Sequence, residues 1–138
     1  MEGREMKAYI RCILMIAVGV ASTLGIAQAA EPLSKQQVAS LLSGSKATQR
    51  STDPSESGSG LVEFGADGRV TNTHAGTKFR GVVETGTWRV SEKGQLCITW
   101  QGKAEENCRY LVPLGGGAYD LTANPAKSGK FHFTAVSK

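Results

Sequence analysis

Between residues 81 and 119, short apolar runs alternate with polar breaks that carry glycine. The runs 82–90, 95–100, 107–112 and 118–121 are four to nine residues long and rich in β-branched and aromatic side chains. Such runs at close spacing predict strands. The breaks are too short for crossover helices, so neighbouring strands are expected to be antiparallel. Upstream, the β-rich runs 61–64 and 69–73 flank Gly65-Ala66-Asp67-Gly68, and Asp-Gly in that setting is a hairpin signal. Residues 46–50 read as a short first strand, and 77–90 as a long strand whose Gly81 and Gly86 mark bends in a curling sheet. At the far end, 130–136 alternates with Phe131 and Phe133 on one face and reads as a closing strand.

One segment has helical rather than strand periodicity. Over 32–44, Ser34 stands as N-cap with Gln37 three positions on, Leu33 and Val38 occupy the staple positions, and Gly44 ends the segment. Val38, Leu41 and Leu42 form a narrow apolar stripe, so a helix this short must dock on the sheet to persist. The pattern therefore predicts a mainly β fold: a small antiparallel β-barrel or curled meander of about seven to eight strands with one short N-terminal helix. Between helix and hairpin, 51–60 is small and polar, the composition of a loop.

Cys97 and Cys108 sit symmetrically about Gly102-Lys103. A two-residue turn there, glycine first, places the cysteines opposite each other in disulfide range. The same register sets Leu96, Ile98 and Trp100 against Arg109, Asn107 and Glu105, so one face is apolar on one strand and polar on the next. The alternatives are a bulge in 104–107 that re-aims the side chains and an unbulged ladder with that mixed face.

The first 29 residues follow a different rule. Lys7 and Arg11 precede the apolar run 12–26, which ends in Ala27-Gln28-Ala29. A basic start, a short apolar core and an A-x-A site read as a secretory signal peptide, and the run is too short to span a bilayer. The expected organisation is a leader over 1–29 and a single domain over 30–138, periplasmic or secreted, with no membrane span once the leader is removed. Met6-Lys7 also reads as a natural start. Cys12 leaves with the leader, and the remaining pair of cysteines suits an oxidising compartment.

Charge narrows the partners further. The leader takes three of 16 basic and two of 12 acidic residues, leaving a surplus of three positive charges scattered along the chain. A nucleic-acid surface would cluster such charges, so no nucleic-acid partner is expected.

Candidate chemistry is sparse. His74 and His132 are far apart with no adjoining cluster of ligands, a poor metal site, and His132 should point outward between Phe131 and Phe133. Glu63, Glu84 and Asp120 are the carboxylates that acid–base chemistry would need to bring together, and no G-x-S-x-G occurs. Gly115-Gly116-Gly117 precedes a strand rather than a helix, so it reads as a hairpin turn and not a phosphate cradle. No catalytic residues, metal or cofactor are expected. Trp88, Trp100, Tyr110 and Tyr119 are the ligand-binding candidates, set against the reading that these aromatics are core and fill the barrel.

In order, the capped helix ending Leu41-Leu42-Ser43-Gly44, Phe64-Gly-Ala-Asp-Gly-Arg-Val70, Gly86-Thr-Trp88, Leu96-Cys-Ile-Thr-Trp100, Cys108 and Gly117-Ala-Tyr119 resemble a family of small exported bacterial proteins. That family is catalogued as domain of unknown function 995. The resemblance implies a lipocalin-like small barrel, secreted or periplasmic, with a Cys97–Cys108 bridge, and supplies no catalytic residues. The expected role is an exported, non-enzymatic binding or interaction protein that meets an envelope or extracellular protein through loops such as 51–60 and 115–117. The alternatives are a carrier of a small apolar ligand, with Trp88 and Trp100 facing a cavity, and an inhibitor of an extracellular hydrolase.

Overall fold

Ser34 accepts a hydrogen bond from the Gln37 amide while the Gln37 side chain accepts one from the Ser34 amide, a complete capping box. It starts α1, Lys35–Leu42, in a computed structural model that describes residues 30–52, 59–76 and 78–138. The expected leader and most of the 51–60 loop lie outside the described residues. The helix buries Val38 and Leu42, and the Leu33 amide just before it donates to the Leu111 carbonyl at 2.8 Å. Its apolar stripe thus docks on the sheet, as so short a helix requires.

Eight strands follow: β1 Ser45–Ser51, β2 Gly60–Phe64, β3 Arg69–His74, β4 Val83–Val90, β5 Leu96–Trp100, β6 Asn107–Gly115, β7 Ala118–Thr122 and β8 Phe131–Ser137. Each pairs antiparallel with the next, and β8 returns to β1, closing the barrel. Closure leaves no free sheet edge.

Alternation along the strands assigns the two faces. Ala47, Val62, Phe64, Val70, Leu96, Leu111, Leu121 and Phe133 point inward and form the core with Val38 and Leu42 of the helix. Phe64 packs edge-on against both Trp88 and Phe133, with centroids 5.5 and 5.9 Å apart. The outer face carries charged pairs instead, such as Lys46–Glu63 at 3.1 Å and Arg89–Glu106 at 2.6 Å. Among the described residues no helix is long and apolar enough to cross a membrane.

The Asp-Gly hairpin forms as expected between β2 and β3, with Asp67 Oδ1 accepting from the Arg69 amide at 3.1 Å. Two expectations are corrected. The strand expected over 77–90 begins only at Val83, because residues 79–82 make a β-turn closed by the Val82 amide on the Phe79 carbonyl. Gly81, third in that turn with φ of 80°, is a turn residue and not a bend inside a strand. Gly102 likewise stands third in a turn closed by the Lys103 amide on the Trp100 carbonyl, not first in a two-residue hairpin, and β6 starts only at Asn107.

The cysteine register holds even though its turn differs. Leu96, Cys97 and Ile98 pair with Arg109, Cys108 and Asn107 without any shift. The Sγ atoms of Cys97 and Cys108 are 2.07 Å apart on the outer face, and no bulge interrupts the ladder. The mixed apolar and polar face therefore remains, and it looks into the barrel.

Candidate functional site in the barrel lumen

The two ends of the barrel differ. At one end lie α1 and the short β2–β3, β4–β5 and β6–β7 turns, and there Val38 and Leu42 of the helix join Phe64, Val70 and Leu111 in the buried core. The other end carries the strand ends Ser51, Gly60, His74 and Val83 and the connections 101–106 and 123–130. Between the packed half and this mouth lies a cavity of about 320 Å3, walled by side chains from seven of the eight strands. A wholly filled core is thus corrected to a half-filled one. The volume is at the lower end of the range for small-molecule pockets.

Two chemically distinct walls enclose this space. Leu96, Ile98 and Trp100 from β5, Leu121 from β7, and Phe131 and Phe133 from β8 form the apolar wall. Gln49, Asn72, His74, Glu84, Asn107 and Arg109 form the polar one, spread over β1, β3, β4 and β6. Both walls follow from the period-two alternation of their strands. Asn72 and Glu84 are register partners across β3 and β4, as are Ile98 and Asn107 across β5 and β6.

The polar residues are unevenly satisfied. His74 Nε2 stands 3.4 Å from Glu84 Oε2, and the His74 ring lies 6.1 Å from that of Phe79 in the 75–82 connection. Asn72 is 4% exposed, and its Oδ1 has no hydrogen-bond partner among the described residues. The nearest atom to a side chain added at Gly60 would be that same Oδ1, so glycine is needed beside it. Arg109 donates from Nη1 to the Cys108 carbonyl at 2.9 Å and forms no ion pair among the described residues.

Of the four aromatic candidates, Trp100 lines the cavity. Trp88 points inward but lies deeper, edge-on to Phe64, with its Nε1 donating to the Gly65 carbonyl at 2.9 Å. Tyr119 packs against the core cluster beside Phe133. Tyr110 lies on the outer face, between the inward Arg109 and Leu111. The polar wall is what the aromatic-centred reading passed over, and its signal was the opposition of Leu96 and Ile98 to Arg109 and Asn107.

The carboxylates named for acid–base chemistry do not meet. Glu84 faces the lumen. Glu63 is outside with Lys46 and Thr71. Asp120 is buried under the 123–130 connection, where it accepts from the Gly129 amide at 3.0 and 3.1 Å and stands 3.3 Å from His132 Nε2. That second histidine points outward, so the two histidines serve different faces. Cys97, Glu106 and Cys108 are near one another, but the two sulfurs are bonded together rather than free to hold a metal.

A family model described as "Protein of unknown function (DUF995)" matches residues 11–109. No curated protein and no solved structure matches the chain.

Proposed function

For a chain that belongs to the DUF995 family, we propose a non-catalytic binding role in which one small amphipathic molecule is held inside the barrel. The observation that supports this reading is the cavity at the open end, walled on one side by Ile98, Trp100 and Phe131 and on the other by Asn72, His74 and Arg109. An apolar body and a polar end on the same ligand would match those two walls. The protein would work in the periplasm or outside the cell. The leader pattern over 1–29 and the Cys97–Cys108 bridge support that placement.

The test is a titration with octan-1-ol, followed by tryptophan fluorescence in a Trp88→Phe variant so that Trp100 is the sole reporter. Saturable change is expected, and Ile98→Trp, which fills the space, should abolish binding while leaving the circular dichroism of the barrel intact. No saturable change, or binding that survives Ile98→Trp, would overturn the reading.

A second reading, docking of an envelope or extracellular protein, is favoured by a different feature. Leu61 and Val83 flank Thr73 on the outer face near the mouth, and with Phe79 and Val82 they are exposed apolar side chains. Leu61→Ser with Val83→Ser should then abolish partner capture and leave octan-1-ol binding unchanged.

A further inference from the structure

Among the described residues, Arg109 is a lumen cation with no carboxylate to answer it. One of its five N–H donors is used on a main-chain carbonyl, and its neighbour across the ladder is the apolar Leu96. The lumen's carboxylate, Glu84, is already engaged by His74. Asn72, almost wholly buried in the same wall, retains an amide oxygen with nothing bonded to it among the described residues. That oxygen is an acceptor packed toward Gly60 and calls for a donor, so the anionic end of a ligand is left to Arg109 and not to Asn72.

We propose that the ligand is a monocarboxylate amphiphile whose carboxylate pairs with the Arg109 guanidinium and whose hydrocarbon body lies along Leu96, Ile98, Leu121 and Phe131. This rests on the reading of the lumen as a binding site. The planar fork of arginine suits both carboxylates and phosphates. The charge balance selects between them. One guanidinium answers one negative charge, and Glu84 in the same space disfavours any further one, such as the second charge of a phosphate monoester. Asn107, at the mouth on the same strand as Arg109, adds amide donors for the outer carboxylate oxygen. At about 30 Å3 for each water-sized group, the cavity has room for roughly ten of them. An eight-carbon acid is of that size.

Isothermal titration of the oxidised protein with octanoate, octan-1-ol and octylamine separates head-group preference from apolar fit, since the three probes share one chain. Octanoate should bind about tenfold tighter than octan-1-ol, with octylamine weakest. Arg109→Gln should erase the octanoate advantage, so that octanoate binds no tighter than octan-1-ol. Equal binding of octanoate and octan-1-ol, a preference for octylamine, or an octanoate preference that survives Arg109→Gln would overturn the carboxylate proposal while the lumen reading stands. Failure of all three probes to bind would overturn the lumen reading and the proposal with it.

Discussion

Leu96 and Arg109 are register partners across β5 and β6, and both line the lumen. In a filled barrel that pairing would bury a cation against hydrocarbon, at a cost of several kcal/mol. The cavity removes the conflict, because Arg109 sits half-buried toward the mouth with space in front of it. A mixed face on adjoining strands is therefore the imprint of a space that is not packed.

Asn72 should be a position where removing a buried polar atom raises stability. Leucine is close to asparagine in size and has no polar atoms to satisfy. Asn72→Leu is expected to raise the unfolding free energy by about 1–2 kcal/mol, since a buried acceptor without a partner is lost. Guanidinium titration reads the gain. A destabilised variant would count against an unmet group at this position.

The Cys97–Cys108 bridge crosses a seam of three paired residues, one of the two shortest ladders in the barrel. Cys97→Ser with Cys108→Ser is expected to cost about 2–4 kcal/mol in denaturant unfolding. Dithiothreitol should lower the melting temperature of the parent protein to that of the double variant. An unchanged melting temperature in both experiments would show that the link is not formed in solution.

The other short seam, β7–β8, carries a different tie. A Cβ on residue 129 would run into the Leu121 carbonyl and approach Asp120, so Gly129→Ala must displace the 123–130 connection. The expected loss is roughly 2–3 kcal/mol, with Asp120→Ala costing about 1–3 kcal/mol through the lost hydrogen bonds. Retention of full stability by both variants would mean that the connection contributes nothing to the seam.

Acid should weaken the outer face. Arg89, chiefly by hydrogen bonding and then by its charge, holds the Glu106 carboxyl below the usual carboxylate range, and Lys35 does the same to Glu92. Because folding favours the ionised form, this stabilisation is present above the ordinary glutamate value and fades as pH falls through the lowered one. The melting temperature is expected to drop between about pH 5 and pH 3, with a shallower drop in Glu106→Gln with Glu92→Gln. Both pairs are open to solvent, so high salt should shrink the difference. Parallel pH profiles for parent and variant would assign the acid limb to other groups.

Much of the architecture was legible because it is local. The capping box of Ser34 and Gln37, the Asp67-Gly68 hairpin and the cysteine register each depend on residues a few positions apart. Alternation likewise identified which side chains share a face. It does not say whether a face is packed, and here the site departs from expectation. Trp88 and Trp100 both point inward, yet one is pinned to the Gly65 carbonyl in the packed half while the other borders open space. Their difference comes from depth relative to α1, which no local pattern encodes. Arg109 and Asn107 were visible as a misfit in the ladder, and a bulge was the natural repair so long as the interior was taken to be full.

Closure of the barrel also has a kinetic side. Seven of the eight ladders join strands adjacent in the chain, whereas β1 and β8 meet across nearly the whole described domain. Joining those two is the entropically expensive step. Until it happens, the lumen has walls but no enclosure, so a ligand held there binds the completed fold and not its precursors. Such a ligand should slow unfolding and leave the rate of folding nearly unchanged, making occupancy readable in how long the protein survives rather than in how fast it forms.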